Sequence, residues 1–161
     1  MSTTQAAQVD RPTTAPEAPF RLIYRSRSLA PAAEQDRVLG DILRVARTNN
    51  ARLGVTGALL VYDNWFAQTL EGPEAEVRAL FERIRLDGRH DSVEVRQEGP
   101  VNERVFARWA MARVAEHGEP DIALMATPSG VSPGSARKSS SDQEAILDLM
   151  RDATRGYGRG S

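Results

Sequence analysis

The apolar residues change their spacing along the chain, and this alternation of period restricts the fold more than any other feature of the sequence. In residues 20–26, Phe20, Leu22 and Tyr24 recur at every second position, the period of a strand with one buried face. Within residues 32–50 the period becomes helical. Val38, Leu39, Ile42, Leu43 and Ala46 form a stripe, with Asp36, Arg37, Asp41, Arg44 and Arg47 on the wetter side. Asn49, Asn50 and Gly54 are expected to end that helix. Residues 55–62 are almost continuously apolar, and Asp63-Asn64 separate them from a second strand-like run at 65–70. Two polar residues between two such runs predict a tight hairpin.

Gly72-Pro73 opens a second helix. Proline fits the first turn, Glu74 and Glu76 suit the positive end, and Val77, Leu80, Phe81 and Ile84 form the buried stripe. Two further strands are expected at 92–97 and 104–114. The second contains Phe106, Trp109 and Met111, with Trp109 and Met111 at the same parity. The resulting order, β-α-β-β-α-β-β, predicts a ferredoxin-like α/β (α+β) sandwich with both helices on one face of the sheet. Ile23, Ala58, Leu60 and Val95 would then point to the other face, which needs a cover. The tail supplies one. Ser141 and Glu144 form a capping box, Ile146, Leu149, Met150 and Ala153 follow at helical spacing, and Gly156 can stop the helix. The expected organisation is a disordered segment at 1–19, a folded domain at 20–116, and an extension at 117–161. That extension consists of a Pro/Gly/Ser-rich linker and an amphipathic helix near 142–154 that docks on the open sheet face or on a partner.

Composition removes several classes of function. The 161 residues carry a formal charge of −1, so no net field draws the chain to nucleic acid or to a membrane surface. The absence of cysteine excludes disulfides, thiolate metal sites and a cysteine nucleophile. No run approaches the roughly 20 apolar residues that span a bilayer, and no secretory signal is visible. A cytoplasmic protein is expected. His90 and His117 have no metal-like spacing with carboxylates, and no nucleophile motif surrounds any serine. The Gly-rich end, Gly156 to Gly160, has no strand or helix after it to make a phosphate loop.

Gln68 is the residue most in need of explanation. It shares a strand face with Phe66 and Leu70 and so should be buried, and a buried amide without partners costs about 1–3 kcal/mol. Its partner could be the backbone or a ligand. Tyr24 by itself reads as a core aromatic with its hydroxyl tied off, and Asn50 as a cap on the first helix. Arg83 and Arg85 read as solvated charges. Gly57, in mid-strand, allows close approach of backbone or ligand.

Several fragments in order carry a resemblance. They are Leu22-Ile23-Tyr24-Arg25-Ser26; Asn49-Asn50 leading to Gly54-Val55-Thr56-Gly57-Ala58-Leu59; Phe66-Ala67-Gln68-Thr69-Leu70-Glu71-Gly72-Pro73; Arg83-Ile84; Asp87-Gly88-Arg89-His90; and Arg104-Val105-Phe106 with Trp109 and Met111. Together they resemble the BLUF family of flavin-binding blue-light sensors, over roughly residues 20–114. The resemblance implies an FAD held non-covalently between the two helices. Tyr24 would donate an electron and a proton, and Gln68 would switch its hydrogen bonds at the flavin edge. Asn50, Arg83 and Asp87 would meet the polar parts of the cofactor, with Arg89 and His90 in the same binding loop. Ile42 and Phe66 would pack beside the ring, and Trp109 and Met111 would relay the state of the switch.

Four features depart from the family's pattern: Gly88 where proline is common, Ala67 where a larger apolar residue is usual, Ala110 where serine is common, and a slightly long loop at 28–32. The resemblance also implies a photosensor without an output enzyme of its own. It would form homo-oligomers and signal to a separate, unidentified protein partner, with no role for nucleic acid or membrane. The alternatives on this fold are a small acylphosphatase-like hydrolase, for which the loop after the first strand has no glycine, and a flavin-free interaction module.

Overall fold

A computed structural model describes residues 18–115, 120–124 and 141–155. Residues 1–17 of the segment expected at 1–19, His117, residues 127–140 of the linker and Gly156 lie outside the described residues. The strands are β1 (Phe20–Ser28), β2 (Thr56–Tyr62), β3 (Trp65–Gly72), β4 (His90–Pro100), β5 (Ala112–Ala115) and β6 (Ile122–Ala123). The helices are α1 (Gln35–Leu53), preceded by a 3-10 turn at Ala32–Glu34, α2 (Glu74–Arg85) and α3 (Ser141–Arg155).

The sheet order is β4-β1-β3-β2-β5-β6. Its first four strands are antiparallel neighbours in the ferredoxin-like arrangement, and β5 adds parallel to β2. The hairpin falls where two polar residues were expected, with Asp63 at φ 56° in the left-handed region such turns demand. Pro73 sits just before α2 with extended backbone, leaving the first turn to Glu74 and Glu76.

Strands β1, β2 and β3 divide their residues between two cores. Phe20, Leu22, Tyr24, Leu59, Phe66 and Leu70 face α1 and α2, where they meet Leu39, Leu43, Val77, Leu80 and Phe81. Ile23, Ala58, Leu60 and Ala67 face the other way and are covered by Ile146, Leu147, Met150 and Ala153 of α3. The C-terminal helix therefore docks on the open sheet face. Polar contacts hold it there: Thr69 donates to Met150 Sδ at 3.3 Å, Gln143 to the Val105 carbonyl at 2.7 Å, and Arg25 to the Ala153 carbonyl at 3.2 Å.

Three expectations are corrected. Val95 does not join the α3 face. Irregularities in the β1–β4 pairing place it opposite Tyr24 on the outer strand, where it stays 38% exposed. The strand expected at 104–114 is reduced to Ala112–Ala115. The N–H groups of Val105 and Phe106 go to the Glu71 carboxylate at 3.0 and 2.9 Å rather than to a neighbouring strand, so no ladder forms there. Asn50 is not a cap. The helix runs on to Leu53, and Gly54, at φ 74°, closes it with its N–H on the Asn50 carbonyl. Gly57 is required by backbone approach, because a Cβ there would lie 2.0 Å from the Thr69 carbonyl oxygen.

Candidate functional site

The space between α1 and α2 is not filled. A cleft of about 230 Å³ remains above the sheet, floored by Tyr24, Leu59, Phe66 and Gln68. One wall comes from α1, whose residues 42, 45, 46, 49 and 50 repeat at helical spacing. The opposite wall comes from Leu80, Arg83 and Ile84 of α2, followed by Asp87, Arg89 and His90. All nine residues expected to contact a cofactor, Tyr24, Ile42, Asn50, Phe66, Gln68, Arg83, Asp87, Arg89 and His90, line this one cleft.

At the floor, Tyr24 and Gln68 stand directly opposite each other on neighbouring strands, which puts both side chains on the same face. The Tyr24 hydroxyl donates to Gln68 Oε1, and both residues are 3% exposed. The other end of the amide, Nε2, lies 3.5 Å from Met111 Sδ. A thioether is a weak acceptor, so that end of the amide is only lightly held. Burial first, and the negative charge of Asp87 second, push the Tyr24 phenol well above its ordinary range. The phenol therefore keeps its proton at any ordinary pH.

His90 is fully engaged. Its Nε2 faces the Ile84 carbonyl at 2.7 Å, which requires a proton on that nitrogen, and Nδ1 meets the Ser26 hydroxyl at 2.6 Å. It presents ring surface to Tyr24 and Phe66 rather than a free nitrogen. Asp87 is oriented by Arg89, whose guanidinium and backbone N–H both bond it; the Arg89 side-chain bond is the main cause holding the carboxyl below its usual range. Arg83 is exposed at the rim and, among the described residues, has no ion-pair partner. Arg85, by contrast, pairs with Glu82 at 2.6 Å, as a solvated charge does.

Trp109 and Met111 part company. Met111 is 1% exposed and belongs to the core under the cleft. Trp109 packs with Phe106 and the α3-side core. The chain turns between them, so the equal parity expected of a strand does not apply. Asn49, Val45, Ala46, Leu59, Leu80 and Ile84 also line the cleft. Asn49 had read as a helix cap, although its spacing of seven residues from Ile42 placed it on the same helical face.

Apolar walls with a polar floor and rim suit a flat heteroaromatic ligand that carries hydrogen-bonding groups along its edges. The chemistry of the donor set therefore fits a flavin. The family described as "Sensors of blue-light using FAD" matches residues 20–112. The chain belongs to the BLUF family.

Among curated relatives, the beta subunit of the photoactivated adenylate cyclase of Euglena longa is 38% identical over 96 residues, which is 59% of this chain and 11% of that protein. The chain thus spans about a tenth of the length of that relative. Among solved structures, BlrB, a BLUF protein in its dark state, is 30% identical with a TM-score of 0.59, covering 87% of this chain and 98% of that one. The photo-activated state of BlsA is 35% identical with a TM-score of 0.59, over 62% of this chain and 71% of that one. BLUF domains are sensor modules that bind flavin. Among the described residues no helix is long and apolar enough to cross a membrane.

Proposed function

We propose that this chain is a blue-light receptor that holds FAD non-covalently in the cleft between α1 and α2. The observation that carries the reading is the buried file of contacts from Tyr24 through Gln68 to Met111 at the floor of that cleft. When bound, the flavin supplies blue-light absorption and a site that accepts an electron and a proton.

The side chains do the rest. Ile42, Phe66 and Ile84 exclude water from the ring. Asn50 and Arg83 orient its polar edge, and Asp87, fixed by Arg89, meets the ring or ribityl region. Tyr24 is the donor. Its phenol stays neutral in the dark, and its proton, already directed at Gln68 Oε1, leaves along that bond when the electron leaves. Gln68 is the switch. Its amide has an acceptor at one end and two donors at the other, so turning it exchanges partners for Tyr24 and for the flavin edge without breaking a covalent bond. Met111, at the lightly held end, feels that turn first. The signal then passes through contacts with a separate protein partner or through altered self-association, as BLUF proteins act through partners or effector domains. The acylphosphatase-like alternative is not favoured.

The purified protein should be yellow, and chromatography of the cofactor released by denaturation should give FAD. Blue light should shift the absorption to the red, reversibly in darkness. Gln68→Leu should keep the colour and lose the normal shift, because it removes the switch while leaving the walls of the cleft intact. A Gln68→Leu protein with the wild-type photocycle would refute the role given to the amide, and a colourless protein that takes up no added FAD would refute the receptor reading.

A further inference from the structure

The segment that brings Met111 to Gln68 is not part of a strand, so something else must fix its position. Three successive carbonyls are gripped in turn. The Trp109 carbonyl accepts from the Gly57 N–H at 3.1 Å, the Ala110 carbonyl from Asn50 Nδ2 at 2.9 Å, and the Met111 carbonyl from Arg47 Nε at 3.0 Å. Arg47 stands outside the cleft, on α1, and its side chain is 46% exposed. Its guanidinium is held by Asp121, with Nη2 at 2.7 Å from Oδ2. Asp121 is in turn built into the sheet edge: the same Oδ2 accepts from the Arg113 N–H at 2.8 Å, and its own N–H donates to the Arg113 carbonyl at 2.9 Å. The planar fork of Arg47 thus spans two anchors, a geometry an ammonium could not reproduce. On its other side the Met111 methyl packs against Gly57, where a Cβ would come within 3.3 Å of it.

An exposed ion pair of this kind contributes little to stability. Its placement matters more, because it fixes the main chain of the residue whose sulfur touches the switch amide. We propose that Arg47, oriented by Asp121, is a positioning residue for the light switch. It holds the Met111 main chain so that Sδ stays against Gln68, and it thereby sets how fast the switched state returns in the dark. The claim about dark recovery rests on the photoreceptor reading; the claim about the position of Met111 does not. Turning the Gln68 amide back requires its packed neighbours to give way, so loosening Met111 lowers the barrier and speeds recovery.

The test uses the full chain with Arg47→Ala, Asp121→Ala, the double variant and Arg47→Lys. Two properties are followed: the dark-recovery rate, and the 13C-methyl resonance of Met111 among the four methionines, assigned with Met111→Leu. Arg47→Ala and Asp121→Ala should each speed recovery about tenfold, the order expected when a charge-assisted hydrogen bond bearing on a barrier is lost. Both should move the Met111 methyl, and the thermal midpoint should stay near that of the wild type. The double variant should add little to either single change, and Arg47→Lys should fall between. An unmoved methyl would overturn the positioning role, whether or not the midpoint falls. A moved methyl with unchanged recovery would overturn the link to the switch. If the protein took up no flavin, the receptor reading and the link to recovery would fall together, and the methyl spectra would still decide whether Arg47 positions Met111.

Discussion

Strand β3 divides its residues between two very different environments. Phe66, Gln68 and Leu70 face the cleft side, whereas Ala67, Thr69 and Glu71 face the opposite side. On the α3 side, buried polar atoms are held largely by main-chain groups. Glu71, fully buried, accepts from the N–H groups of Val105 and Phe106 as well as from Arg21, and Gln143 and Arg25 donate to carbonyls. On the cleft side, Gln68 is held by two side chains, one of them a weak acceptor. Main-chain partners cannot be exchanged without moving the backbone, but side-chain partners can. The polar groups around Glu71 are therefore built to stay, and the Gln68 amide is free to rearrange.

Substitutions that remove main-chain anchoring should have the largest effect. Glu71→Ala leaves the Arg21 guanidinium, 11% exposed, facing an empty acceptor site and strands two N–H groups, the buried one of Phe106 and the part-buried one of Val105. Breaking a buried pair this way costs about 3–5 kcal/mol, readable in urea unfolding. Glu71→Gln should cost less, because the amide oxygen still accepts. A loss of less than about 1 kcal/mol in Glu71→Ala, where surface changes fall, would show that the two faces are not as different as described. Next comes Met150→Ala, which opens a cavity under α3 at a fully buried side chain and should cost about 2–5 kcal/mol. Because Met150 lies on the far side of the sheet, its loss should leave the light-driven absorption shift in place at temperatures where the protein stays folded. Loss of the shift in folded Met150→Ala protein would mean the faces are coupled more tightly than their separate cores suggest.

The same contrast explains what could be read from the sequence. Helical periods located α1, α2 and α3, because each buries a single face and a single face imposes a period, whereas β1, β2 and β3 bury both faces and showed as short apolar runs bounded by turn residues. The amphipathic spacing of Ile146, Met150 and Ala153 likewise foretold a docked helix. Residues 104–111 were misread as strand because Phe106, Trp109 and Met111 are all apolar. Apolarity does not reveal that Glu71, distant in sequence, takes the N–H groups a ladder would need. Val95 failed for a related reason, since a shift in pairing register leaves no mark on composition. In the site, Gln68 stood out as a polar residue on an apolar strand face, whereas its pairing with Tyr24 came from the family resemblance, and from the residues themselves only with the β1–β3 register. Arg47 and Asp121 carried no signal, since both resemble the solvated charges around them and their meeting depends on tertiary structure.

The smallest effect is the most selective for the cleft face. Burial and the charge of Asp87 raise the Tyr24 phenol above its ordinary value of 10.0, so above that pH the unfolded chain loses this proton while the folded chain keeps it. The unfolded state then binds fewer protons, and stability falls as pH rises. The contribution is fully present below pH 10 and is lost at about 1.4 kcal/mol per pH unit until the folded phenol itself ionises. Tyr24→Phe removes this slope and leaves every other titrating group in place. Urea unfolding of the two proteins between pH 9 and about 11.5 should therefore show the wild type declining more steeply, with the difference opening only above the ordinary tyrosine value. Parallel curves would mean that the phenol can ionise inside the fold, and that the floor of the cleft is wetter than the Tyr24–Gln68 contact implies.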